Sequence, residues 1–130
     1  MTLFGADAIL GPLRGALQGA TGDEAELWAH RRRSAITRYA KNEVHQNAVA
    51  DEWYVQARVA VKGAVGIASA NSLEPADLRR SLADARAAAE VSIPNAEWPG
   101  LAVPEAIGQP TAFDPPTAEV DARRQAEDIR

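Results

Sequence analysis

The chain has 130 residues, 46% hydrophobic and 25% charged, with 18 acidic against 14 basic side chains and a net charge of -4. Such a length admits one compact domain that buries roughly two-thirds of its unfolded surface, and the composition excludes wholesale disorder. The acidic balance argues against a nucleic-acid or anionic-membrane partner, and the lack of cysteine removes disulfides, thiolate metal sites and cysteine nucleophiles.

At the N-terminus, Ile9, Leu10, Leu13, Ala16, Leu17 and Ala20 recur at spacings of three and four, the signature of one apolar helix face. Pro12 is tolerated only in a first turn, which places the helix start near Gly11, with Gly22 of "TGDE" as a left-handed C-terminal cap. This segment has no basic region followed by a long apolar run, so it does not read as a signal peptide. No stretch approaches the roughly 20 apolar residues of a membrane span, and the expected location is the cytoplasm.

From Ala25 to Ala70 the period changes to two. Val55, Ala57, Val59 and Val61 alternate with Gln56, Arg58 and polar neighbours, a half-buried strand. Lys62-Gly63 offers a tight turn into "AVGIASA", and "AKNE" at Ala40 to Glu43 offers a second. Four or five short strands in an antiparallel hairpin sheet are expected, because no crossover helix fits between them. Pro75, Asp77, Leu78, Leu82, Ala85 and Ala89 then mark a helix whose apolar stripe covers the open sheet face. The expected fold class is α+β, with two helices on one face of the sheet.

Residues 92 to 130 hold six of the eight prolines. They read as extended chain to about Phe113, packed by Trp98 and Leu101, followed by a helix capped by Asp114 with Pro116 and Glu119 in its first turn. The expected division is a core over 1–91, a proline-rich segment over 92–113 and a helix start over 114–130. Val120 and Ile129 of that last helix lack a downstream element to pack against, which leads to the expectation that the chain is cut from a longer one.

Chemistry-bearing residues are few. Glu43 and His45 share a strand face at about 7 Å, two residues' rise. Two ligands fall short of the three that a catalytic zinc site uses, so a polar strand face competes with a metal site that would need His30 from another strand. The run Arg31, Arg32, Arg33 alternates across a strand, which dilutes it into a solvated edge. "GAVG" at Gly63 to Gly66 signals close packing, since it lacks the lysine and the strand-to-helix setting of a phosphate loop. Trp53 and Tyr54 point to opposite faces, leaving one of them available to a partner chain or to a covering segment.

In order, these segments resemble a known family. Asn42, Glu43, Val44, His45 and Gln46, then Arg58, Val59 and Val61, then Gly63, Val65, Gly66, Ile67, Ala68 and Ser69, and finally "LEPADLRRSLADA" resemble the N-terminal domain of the TldD/PmbA family. These are zinc metalloproteases also called modulators of DNA gyrase, and the resemblance runs from Gly15 to Arg130. It implies a parent of several hundred residues whose zinc is held by a His-Glu-x-x-x-His helix and a later cysteine in a C-terminal domain. Two histidines on one helix face can grip the ion while the glutamate activates its water. No such pattern occurs here, so no catalytic, cofactor-binding or metal residue is assigned to this chain. The resemblance further implies partners: the C-terminal metallopeptidase domain, a second family member in a homo- or heterodimer, and an unfolded peptide enclosed between domains. Some PmbA-type relatives lack the metal motif. The alternative from another class is a free-standing module that binds a protein through its sheet.

Overall fold

The computed structural model describes residues 5–41, 43–103, 105, 106, 108 and 114–128. The expectations at Asn42, Phe113, Ile129 and Arg130 lie outside these. The element order is helix α1 (Ala6–Leu17), strands β1 (Glu24–Ala40), β2 (Glu43–Val61) and β3 (Ala64–Ala70), helix α2 (Pro75–Val91), and short helices α3 (Pro115–Ala118) and α4 (Ala122–Glu127). Strand order is β1-β2-β3. β2 and β3 pair antiparallel from Val55↔Ala70 to Val61↔Ala64, and the two-residue link from Ala40 to Glu43 makes β1 antiparallel to β2 as well.

Among the described residues the sheet therefore has three strands where four or five were expected. Polar clusters at short intervals between Ala25 and Ala70 suggest short strands, yet β1 and β2 run for 17 and 19 residues. An exposed strand needs no apolar alternation to keep its ladder hydrogen bonds. Both expected turns are present: Lys62 and Gly63 have φ of 51° and 78°, and Lys41 has φ of 52°. The primed geometry matches the twist of the flanking strands. A left-handed Lys62 costs about 1 kcal/mol or more, and its N–H is held by the Asp23 carboxylate at 2.5 Å.

The chain forms two compact units, one of residues 4–31 and 53–104 and the other of 1–3, 32–52 and 105–130. β1 and β2 contribute to both. In the first unit Val55, Ala57 and Val59 meet Leu78, Leu82 and Ala85 of α2 and Leu13 and Ala16 of α1. Leu78, Val55 and Val59 are fully buried, each worth roughly 1.5–3 kcal/mol against exposure. The α2 backbone lies directly on Gly66, where a Cβ would collide with the Ala85 carbonyl and the Ala89 nitrogen. "GAVG" is thus a close-packing signal, as read.

α1 starts at Ala6 rather than near Gly11 and carries Pro12 inside it. The tight closing turns Gly19 N–H to Ala16 O and Ala20 N–H to Leu17 O end it, well short of Gly22. Gly22 is needed for another reason: at φ 139° a Cβ there would press on Val59 Cγ1 at 2.7 Å. α2 opens at Pro75 as expected.

In the second unit the expected single helix from Asp114 is two. Asp114 accepts the Thr117 N–H at 2.9 Å, and Asp121 starts again by accepting the Arg124 N–H at 2.8 Å. An aspartate able to cap competes with helix continuation, which is why α3 stops after four residues. α4 carries the ion pairs Arg123–Glu127 and Arg124–Asp128, and Thr37 Oγ1 donates to Gln125 Oε1 at 3.1 Å. No helix among the described residues is long and apolar enough to cross a membrane.

Candidate functional site

In the first unit, strand alternation sends Ala25, Leu27 and Ala29 of β1 and Val55, Ala57 and Val59 of β2 beneath the helices. The residues between them form the opposite face: Glu26, Trp28 and His30 on β1, Tyr54, Gln56 and Arg58 on β2, and Ile67 opposite Arg58 on β3. This face is open and mixes large hydrophobic side chains with charged and polar ones. Trp28 is 51% exposed, Tyr54 46% and Ile67 54%.

The aromatic side chains order one another. Trp28 and Tyr54 meet edge to face, with centroids 5.9 Å apart at 68°, and the His30 ring centroid lies 5.7 Å from that of Trp28 at a tilt of 33°. Such pairs contribute about 0.5–1.5 kcal/mol beyond area burial, which favours this arrangement of the rings. Next to it, Arg58 Nη2 binds Glu26 Oε1 at 2.7 Å, while Arg58 Nε is buried with no hydrogen-bond partner among the described residues. Glu26, Leu27, Trp28, Gln56 and Arg58 line a shallow cleft there. The face thus offers aromatic area, one ion pair and an amide, the make-up of a protein contact surface.

The expectation that Trp53 and Tyr54 divide between faces holds. Tyr54 stands outside, and Trp53 is half-buried on the other side with the Arg31 guanidinium 5.7 Å from its ring centroid. Trp28 was the member that sequence reading left out as a contact residue. Its signal was present in the alternation Glu26, Trp28, His30, which matches Tyr54, Gln56, Arg58 across the hairpin.

Glu43 and His45 are exposed in the second unit, and His30 is exposed in the first. His45 Nε2 lies 3.2 Å from the Ala40 carbonyl, its ring N–H donating to close the turn. Among the described residues no group of three or more His, Cys, Asp or Glu side chains could hold a metal ion. This donor set does not fit the zinc that the resemblance implies for the parent. Of the arginine run, Arg32 and Arg33 are exposed, and Arg33 borders a groove with Val49, Glu119 and Asp121 in the second unit.

A comparison with curated proteins finds no match. Among solved structures the chain is similar to TldE from Thermococcus kodakarensis, with a TM-score of 0.67 and 20% identity over 78% of this chain and 23% of that one. That likeness shows the fold, and the chain spans less than a quarter of TldE's length. Residues 25–89, half of the chain and all of it from β1 to the last turns of α2, match the family model described as PmbA/TldA metallopeptidase domain 1. The chain belongs to the PmbA/TldA metallopeptidase domain 1 family.

Proposed function

We propose that this chain acts as the non-catalytic first domain of a TldD/PmbA-like metallopeptidase, helping to enclose an unfolded peptide and to form dimer contacts in the cytoplasm. The observation that carries this reading is the asymmetry of the sheet, one face sealed by α1 and α2 and the other an open platform of Trp28, Tyr54 and Ile67. A platform of that composition suits a neighbouring protein domain better than water. β1, the outer strand, adds an edge on which an extended peptide could pair by strand addition. Zinc and its activated water belong, on this reading, to a following domain, because the donors among the described residues do not assemble a site.

The test begins with the coding sequence after Arg130, where a His-Glu-x-x-x-His helix and a later cysteine are expected. A stop codon at that point overturns the proposal in favour of a free-standing interaction module. In the longer protein, Trp28→Ala should lower thermal stability or dimer affinity, whereas in this chain alone it costs about 1 kcal/mol, the contacts with Tyr54 and His30. Equal effects in the two settings would remove the platform from the proposal.

A further inference from the structure

The segment after α2 crosses the end of the sheet where the Lys62–Gly63 turn and the start of β1 lie. It is fastened at two points. Asn95 donates its N–H to the Gly63 carbonyl at 2.9 Å, and the Trp98 N–H returns to the Asn95 carbonyl at 3.1 Å. At the other point the Glu24 carboxylate accepts two donors: the Leu101 backbone N–H on Oε2 and the Trp98 indole N–H on Oε1 at 3.4 Å. Gly100, at φ 89°, brings the backbone beside that carboxylate, so the approach is built into the chain conformation.

We infer that Glu24 is the latch of a strap, residues 95–101, which opens and closes as a local unit while the sheet and helices stay folded. Three features separate the strap from the core. None of its described residues is fully buried, Ile93 and Val103 on either side are exposed, and its far end is held by the one acidic side chain. Segments with few buried contacts open far more readily than a packed ladder such as β2–β3. Charge-assisted hydrogen bonds to a backbone N–H are strong enough to decide the closed population. Opening would release Trp98 and Leu101 together, uncovering the start of β1 just before the chain passes at Glu105 into the second unit.

Amide hydrogen exchange on the whole chain tests this. In the unaltered protein the Leu101 amide should exchange at least about a hundredfold faster than those of Ala57 and Val59. Glu24→Ala should raise Leu101 exchange about tenfold or more, with the Ala57 and Val59 rates unchanged. Glu24→Gln, which keeps an acceptor, should fall between, and Trp98→Phe, which keeps the Leu101 contact, should have a smaller effect. Leu101 exchanging at the core rate would overturn the inference. So would Glu24→Ala leaving Leu101 unaffected or accelerating strap and core alike. Should Glu24→Ala not fold, the Gln and Phe variants decide by the same comparison.

Discussion

Val55 and Val59 in β2 are fully buried, whereas Val49, in the same alternating set of that strand, is 60% exposed. Residue type and strand geometry are shared, so neither explains the difference. In the first unit α1 and α2 give the sheet a second layer, and the alternating valines become a core. In the second unit β1 and β2 form a ribbon, and among the described residues the other elements of that unit are the short helices α3 and α4. Alternation decides which side of a strand a residue occupies, and burial waits on a second layer.

Substitutions can break or sharpen that contrast. Leu78→Ala, at the centre of the covered face, should cost about 2–5 kcal/mol by urea denaturation. Gly66→Ala should cost about 3 kcal/mol, the upper range for overpacking, because the α2 backbone rather than a flexible side chain blocks the added methyl. Val49→Ala, in the ribbon, should stay within about 0.5 kcal/mol. A Val49 effect as large as that of Leu78 would mean that the ribbon has a second layer of its own.

The smallest effect concerns pH. Two hydrogen bonds from Thr117, the side-chain one first and the backbone one second, hold the Asp114 carboxyl below its ordinary range. Its folded value being depressed, the cap of α3 is present above about pH 3.9, the free aspartate value, and is lost as pH falls through the lower folded value. A carboxyl NMR titration of Asp114 should give a midpoint below that of a free aspartate, and Thr117→Ala should raise it.

Much of this was legible in the sequence. The α2 stripe, the Lys62–Gly63 turn and the close packing at Gly66 each follow from a local rule with one outcome, as does the division of Trp53 and Tyr54 between opposite faces. The strand count was not legible, because polar clusters interrupt a hydrophobic pattern without breaking a ladder. The start of α1 was misplaced because Pro12 was given the first-turn role, whereas the helix carries it in the interior. The split after Ala118 needed weight on Asp121, a second capping residue seven positions after the first. At the candidate site, the partnership of Trp28 with Tyr54 depends on which strands pair, a non-local fact. The pair Glu43 and His45 left a polar strand face and a metal site as alternatives, and the turn-closing hydrogen bond that His45 makes to Ala40 was not legible in its spacing.

The central claim is that this chain lends a surface to a peptidase without cutting peptides itself. The direct measurement is hydrolysis of an unstructured fluorogenic peptide by the purified chain with added zinc, alongside a chelator control and a His45→Ala variant. The account predicts turnover no faster than buffer in every arm. Turnover that survives repurification, stops with the chelator and disappears in His45→Ala would contradict it.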